Sequence, residues 1–256
     1  MFALERQKRI LELLNSNGAV WVSKLSAELG VTEETIRRDL EKLEKQEVLL
    51  RMHGGAMPIG ENSYELSLEK RKHTNVGVKE GMAKEAVKHI APGDTIFLDA
   101  STTTFYMAKE LKKMKNITVI SNSIRVINEL ANQSDVKVIA VGGLVSNNQS
   151  FVGSTAESCI QANYFADKMF FSSKGITEDA GILESNEQEC AIKQKMMENS
   201  KWKYYLCDKT KIGKIGFTKL SPMETIDYFI TDAELDEHWI QKFQELKIEV
   251  IQIEDK

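Results

Sequence analysis

Residues 31–40 read Val31-Thr32-Glu33-Glu34-Thr35-Ile36-Arg37-Arg38-Asp39-Leu40, and this stretch decides how the front of the chain folds. Ile36, Leu40 and Leu43 recur at helical spacing, which predicts one amphipathic helix with a single apolar stripe. Thr32 is placed to cap it, and Glu33 and Glu34 fall in its first turn, where the helix dipole favours anions. Upstream, Leu25 and Leu29 mark a second helix, with Ser23 as its expected N-cap and Gly30 as its left-handed end. The short gap around Gly30 is a helix-turn-helix spacing. Further upstream, Leu4, Ile10, Leu11 and Leu14 predict an opening helix that stops at Asn15-Ser16-Asn17-Gly18, and Val20 and Val22 alternate as in a short strand. Downstream, Val48–His53, a Gly54-Gly55 turn and a returning strand predict a wing, followed by a linker from Pro58.

The exposed face of the third helix carries Thr35, Arg37, Arg38 and Lys42. Arginine pairs bidentately with guanine N7 and O6, and a threonine methyl packs on thymine, so this face suits a major groove. Arg51 and His53 on the wing, and Lys24 near the start of the second helix, are placed to hold phosphates. A plainer role competes: Glu33 with Arg37 and Glu34 with Arg38 are i, i+4 pairs that stabilise a solvated helix. The turn spacing, the caps and the wing together favour double-stranded DNA. Asp39 is expected to brace an arginine or a helix end.

The rest of the composition sets limits. The chain has 256 residues, which fits one large or two smaller domains, and its apolar and charged fractions are those of a folded globular protein. The net charge of −4 excludes a protein that coats nucleic acid, so any DNA contact must come from local arrangement of charge. No run is apolar enough to span a membrane, and Glu5, Arg6, Lys8 and Arg9 with no apolar run behind them do not make a signal peptide. Cys159, Cys190 and Cys207 are odd in number and far apart, which predicts small buried thiols in a reducing cytoplasm. His53, His73, His89 and His238 have no ligand spacing, so no metal and no cofactor are expected. The expected division is a head over 1–57, a linker over 58–75 and a second domain over 76–256.

From about residue 76 the rhythm changes. Seven short apolar runs alternate with helical stretches: Thr95–Leu98, Ile117–Ile120, Val136–Val141, Met169–Phe171, Tyr204–Leu206, Tyr228–Ile230 and Ile248–Ile251. That alternation predicts parallel β-α-β units covered on both faces. Ligands in such sheets bind beyond the C-terminal strand ends. Asp99-Ala100-Ser101-Thr102-Thr103-Thr104 follows the first run and opens a helix, a natural phosphate cradle of free N–H groups and hydroxyls, although ordinary capping explains part of it. Ser121-Asn122, Gly142-Gly143, Ser172-Ser173-Lys174-Gly175 and Asp208-Lys209-Thr210-Lys211 punctuate later strand ends and are expected to converge with it. Lys174 and Lys211 would face a phosphate, and Asp99 and Asp208 would accept sugar hydroxyls. Glu189 and Lys193, an i, i+4 pair, leave open either a surface ion pair, hydroxyl recognition or general-base catalysis.

The stretch Val31–Leu40 with Met52-His53-Gly54-Gly55-Ala56 resembles the signature of the DeoR family of bacterial sugar-metabolism repressors. The likeness continues at Asp99-Ala100-Ser101-Thr102-Thr103, Ser121-Asn122, Gly142-Gly143, Gly153 and Asp208-Lys209-Thr210-Lys211, and so covers nearly the whole chain. It implies an α/β protein: an N-terminal winged helix-turn-helix, and a C-terminal Rossmann-like parallel-sheet domain resembling sugar-phosphate isomerases. It also implies a phosphorylated sugar as effector. A DNA head joined to a ligand pocket predicts a homo-oligomer (dimer or tetramer) that places two heads on repeated half-sites of an operator. The sequence has no tight Asp-Gly-x-Asp loop of the kind such isomerases carry, which favours regulation over catalysis. Ser101 stands where the family has Gly, and a loop needing positive φ there would be strained. The combination with Ser173–Gly175 and Ser185-Asn186-Glu187 looks most like a subgroup tied to 6-deoxyhexose (rhamnose or fucose) use.

Overall fold

A computed structural model describes residues 3–17, 20–45, 48–52, 54–58 and 68–253. The chain divides into two compact units, Met1–Tyr64 and Glu65–Lys256.

The first unit contains α1 (Ala3–Asn17), β1 (Val20–Trp21), α2 (Val22–Leu29), α3 (Glu33–Lys45), β2 (Leu49–Met52) and β3 (Gly55–Pro58). Ile10, Leu14, Val22, Leu25, Ile36, Leu40, Leu43 and Leu49 bury one apolar stripe from each element into a common core. Gly30 ends α2 at φ 65°, the left-handed conformation its position requires. Thr32 Oγ1 accepts from the N–H of Thr35, so α3 is capped as expected. The cap of α2 differs: the helix begins at Val22 after Trp21, with no side-chain cap, and Ser23 lies inside it. The reason is tertiary, because the wing supplies an acceptor: Val22 N–H donates to the Gly54 carbonyl at 2.8 Å. The wing is a three-stranded antiparallel sheet in the order β1-β3-β2. Gly55 opens β3 against β1, where a Cβ would lie 2.2 Å from the Val20 carbonyl oxygen. Asp39 is buried and accepts from Arg6 Nε and from Gln7 at 3.0 Å, tying α3 to α1.

The second unit runs α4 (Leu68–His73), α5 (Val76–Ala86), β4 (Thr95–Leu98), α6 (Thr102–Leu111), β5 (Ile117–Ser121), α7 (Ile124–Leu130), β6 (Val136–Ala140), β7 (Leu144–Val145), β8 (Phe151–Val152), α8 (Ser154–Asn163), β9 (Ala166–Phe171), β10 (Gly175–Thr177), β11 (Gly181–Glu184), α9 (Glu187–Glu198), β12 (Ser200–Leu206), β13 (Thr218–Ser221), β14 (Tyr228–Thr231), α10 (Glu237–Glu245) and β15 (Glu249–Gln252). Seven of these strands form one parallel sheet in the order β15-β14-β12-β9-β4-β5-β6, and they are the seven apolar runs of the sequence.

Side chains alternate across this sheet. Ile96, Leu98, Phe170, Tyr204 and Leu206 pack with Met82, Met107, Leu111 and Val126 of α5, α6 and α7. Phe97, Met169, Phe171 and Tyr205 pack with Ile160, Ile192, Met196 and Phe243 of α8, α9 and α10. The chain builds outward from β4 to β5 and β6, then returns to place β9 on the other side of β4. The switch point of the sheet therefore lies between β4 and β9. Two pieces were not expected: the β7–β8 hairpin and the small antiparallel sheet β10-β11-β13. Both stand over the C-terminal edge of the large sheet and supply walls for what lies there.

Candidate functional site

The first candidate surface is the outer face of α3. Arg37, Arg38 and Lys42 are exposed, Thr35 is half-buried, and Lys24 and Arg51 are exposed on α2 and β2. His53 lies outside the described residues. Thr35 Oγ1 is 2.9 Å from Thr32 Oγ1, at the start of the helix. The expected helix pairs form: Arg37 lies 2.6 Å from Glu33, and Arg38 lies 3.4 Å from Glu34. With both partners in solvent, such pairs hold the side chains weakly. Phosphate or guanine edges can therefore displace the glutamates. Arg51 is likewise held only loosely, 3.9 Å from Glu44.

The second candidate is a cavity at the switch point. Its wall takes Ser101 and Thr102 from the start of α6, Ser172, Ser173 and Lys174 from the end of β9, and Asp208, Thr210 and Lys211 from the end of β12. Arg71 and Lys79 enter from α4 and α5 and Thr74 from the turn between them, Asn148 from the β7–β8 hairpin, and Glu184, Glu189 and Lys193 from β11 and α9. Gly175 lets Lys214 approach this rim, since a Cβ there would lie 2.2 Å from the Lys214 carbonyl oxygen.

Ser101 caps α6 with φ −70°, accepting from Thr104 N–H at 3.2 Å. The extended backbone at 101 needs no glycine, so the strain considered from the sequence does not arise. Lys211 Nζ is 2.6 Å from Ser172 Oγ and 3.7 Å from Asp208. Burial pushes the Asp208 carboxyl up, but Lys211 and the bonds from Thr210 outweigh it and hold the group below the usual carboxylate range. Lys79 is buried and donates to the carbonyls of Arg71 and Thr74, both at 2.6 Å. Burial first, then the like charge of Lys211, lowers its pKa to about 8. The cavity thus gathers cations that stand close enough to oppose one another, an environment that an anion relieves.

Not every residue expected at this site reaches it. Asp99 is fully buried and its carboxylate is already spent on protein donors: Lys193 at 3.0 Å, Ser101 N–H at 3.1 Å, Thr104 Oγ1 at 2.8 Å and Ser172 N–H at 3.2 Å. It organises the cradle from behind. Thr103 and Thr104 are buried in the same turn. Ser121 donates to the Leu98 carbonyl at 2.8 Å and so ties β5 to β4. Asn122 donates to the Phe151 carbonyl at 3.1 Å and anchors the hairpin. Gly142 and Gly143 form the turn after β6 and are not among the lining residues.

The Glu189–Lys193 pair expected from helical spacing is replaced by another. Lys193 donates to Glu184 at 2.7 Å and to the Ser172 carbonyl at 2.6 Å, besides meeting Asp99. Burial opposes its charge, but the two carboxylates prevail and raise its pKa. Glu184 and Asp99 are therefore locked around a fixed ammonium and are poorly placed to act as a general base. Sequence reasoning missed Arg71, Lys79 and Asn148. Only their position beneath a folded helix and hairpin distinguishes them from ordinary surface residues.

Comparison with known proteins agrees with both halves. Residues 6–61 match the family model described as a DeoR-like helix-turn-helix domain, and residues 74–233 match the DeoR C terminal sensor domain. A Bacillus subtilis protein named as an uncharacterized HTH-type transcriptional regulator, YulB, is 40% identical over 98% of this chain and 96% of its own. The L-fucose operon activator of Haemophilus influenzae is 34% identical over 94% of this chain and 96% of its own. The lactose phosphotransferase system repressor of Staphylococcus epidermidis is 33% identical over 89% and 91%. Among solved structures, ribose 5-phosphate isomerase A from Methanocaldococcus jannaschii is similar over 55% of this chain and 56% of that chain, with 17% identity and a TM-score of 0.42.

Proposed function

Because the chain belongs to the DeoR family of transcriptional regulators, we propose that it represses a carbohydrate catabolic operon and leaves its operator when a phosphorylated sugar fills the switch-point cavity. The observation that carries this reading is the meeting of Lys79 and Lys211 with the hydroxyl-bearing N-terminus of α6 in one pocket. Lys174, Asp208 and Glu189 share the wall. Thr35, Arg37 and Arg38 read base edges, while Lys24, Lys42, Arg51 and His53 hold phosphates. Two heads of a cytoplasmic homo-oligomer occupy repeated half-sites.

Signalling follows from α4, the first described element after residues 59–67. Lys79 holds its C-terminal carbonyls, Arg71 donates to Asn148 at 2.5 Å, and the Tyr106 hydroxyl donates to the Lys72 carbonyl at 3.2 Å. A phosphate dianion offers Lys79 charge-assisted bonds roughly twice as strong as those to neutral carbonyls. The ligand then competes with α4 for the same ammonium, which gives it different affinities for two arrangements of the chain.

The test is a thermal-shift panel of sugar phosphates followed by operator release measured by fluorescence anisotropy. A ligand at 100 times its Kd adds about 2.7 kcal/mol of stability. A 6-deoxyketose 1-phosphate heads the panel, given the subgroup resemblance and the relative named for the L-fucose operon. If no sugar phosphate both stabilises the protein and alters operator binding, the reading is wrong.

A further inference from the structure

Glu189 stands in the cavity wall, 4% exposed, with its two carboxylate oxygens treated unequally. Oε1 is crowded with donors: the hydroxyl of Ser150, the hydroxyl of Ser146 at 3.1 Å and the Asn148 amide at 3.4 Å. These come from the β7–β8 hairpin and fix the side chain. Oε2 is buried and, among the described residues, has no hydrogen-bond partner. The nearest strong cation on its own helix, Lys193, is committed to Glu184 and Asp99. A buried carboxylate oxygen without a donor is costly, and most buried polar groups in folded proteins avoid that state. Glu189 itself lines the cavity, so a ligand held there can supply the missing donor.

Resting on the sugar-phosphate reading above, we infer that Glu189 Oε2 accepts a hydrogen bond from a hydroxyl of the bound ligand, and so makes the cavity select polyhydroxylated phosphates over inorganic phosphate and over the matching deoxy compound. The charges in the cavity wall divide the labour. Lys79 and Lys211 suit the anionic end, whereas a carboxylate repels it, so Glu189 must meet a neutral donor. A fixed acceptor also discriminates sharply, because a ligand lacking the hydroxyl leaves the buried oxygen unpaired. Asn148 bonds Glu189 on one side and Arg71 on the other, so the hydroxyl contact reaches α4 by a second route, separate from Lys79.

Isothermal titration calorimetry on the full chain tests this, with inorganic phosphate, fructose 1-phosphate, fructose 6-phosphate, ribose 5-phosphate and monodeoxy analogues of whichever binds most tightly. The expected result is one monodeoxy analogue bound about ten- to hundred-fold more weakly than its parent by the unmodified protein, the range for a hydrogen bond to a charged group. Glu189→Gln keeps the acceptor for Ser146, Ser150 and Asn148 but turns the second atom into a donor. In it, the advantage of the sugar phosphate over inorganic phosphate should fall by a similar factor and the penalty for the deoxy analogue should vanish. Deoxy analogues that all bind like the parent in the unmodified protein overturn the inference, whether or not the variant folds. So does a variant with an unchanged ratio. Failure of every phosphate compound to bind would instead bring down the ligand class itself, an outcome the two parts of the experiment keep distinct.

Discussion

The ammonium of Lys79 lies 2.6 Å from the carbonyl oxygen of Arg71, so a charge in the cavity wall holds the end of α4, the first described helix of the second unit. The bond is charge-assisted only while Lys79 is protonated. Its pKa of about 8, depressed first by burial, places the change within reach of ordinary buffers. Ligand binding favours the protonated form, so affinity for a phosphate ester should be greatest below pH 8 and fall about tenfold per unit as pH rises past it, until the raised pKa of the complex is reached. The ester itself is fully dianionic above about pH 7 and adds no slope of its own. Titration calorimetry between pH 7 and 9.5 would show the fall. Lys79→Met should bind weakly with a flat profile, and hydrogen exchange should rise across residues 68–73.

Arg37→Ala and Arg38→Ala should each weaken specific operator binding by about 1–3 kcal/mol and barely move the unfolding midpoint. Their partners Glu33 and Glu34 are exposed, and exposed i, i+4 pairs contribute only about 0.3–0.5 kcal/mol. Anisotropy with specific and scrambled duplexes separates base reading from general charge. Equal losses on both duplexes would assign these arginines to phosphate contact alone.

Lys193→Met removes the cation between two buried carboxylates, Asp99 at 3.0 Å and Glu184 at 2.7 Å. Breaking a buried ion cluster on one side costs about 3–5 kcal/mol, so urea denaturation should show a loss of that size. Because Asp99 is held below the usual carboxylate range despite its burial, this contribution is present at neutral pH and is lost as pH falls through the Asp99 pKa. Asp99→Asn should flatten that acid dependence.

Lys211→Ala should lower affinity for the sugar phosphate about tenfold, since it removes one charge-assisted contact and leaves Ser172 Oγ without its 2.6 Å neighbour. Asp208, freed of its closest cation, should titrate nearer its ordinary range, visible as an upward shift in its carboxyl NMR resonance midpoint.

Gly55→Ala tests the wing. A Cβ at 2.2 Å from the Val20 carbonyl cannot be accommodated without separating β1 from β3. Operator affinity should fall, while ligand-induced stabilisation of the second unit persists in calorimetry.

Local pattern carried much of this protein. Period and turn chemistry marked α3 with its Thr32 cap, the Gly30 stop and all seven strands of the parallel sheet, because burying an apolar face imposes a repeat that stands in the sequence itself. The strand-end rule also indicated where the polar loops would gather. What spacing could not reveal was which partner each buried charge would take. Lys193 lies four residues from Glu189 yet bonds Glu184 and Asp99, and Glu189 is held by Ser146, Asn148 and Ser150. Lys79 reads as a surface lysine in an unremarkable helix. Its burial against the end of α4 lowers its pKa and places it in the cavity wall. Helical and strand periods report one face of one element, whereas desolvation and charge pairing depend on every element packed around a group, and only the assembled chain brings those together.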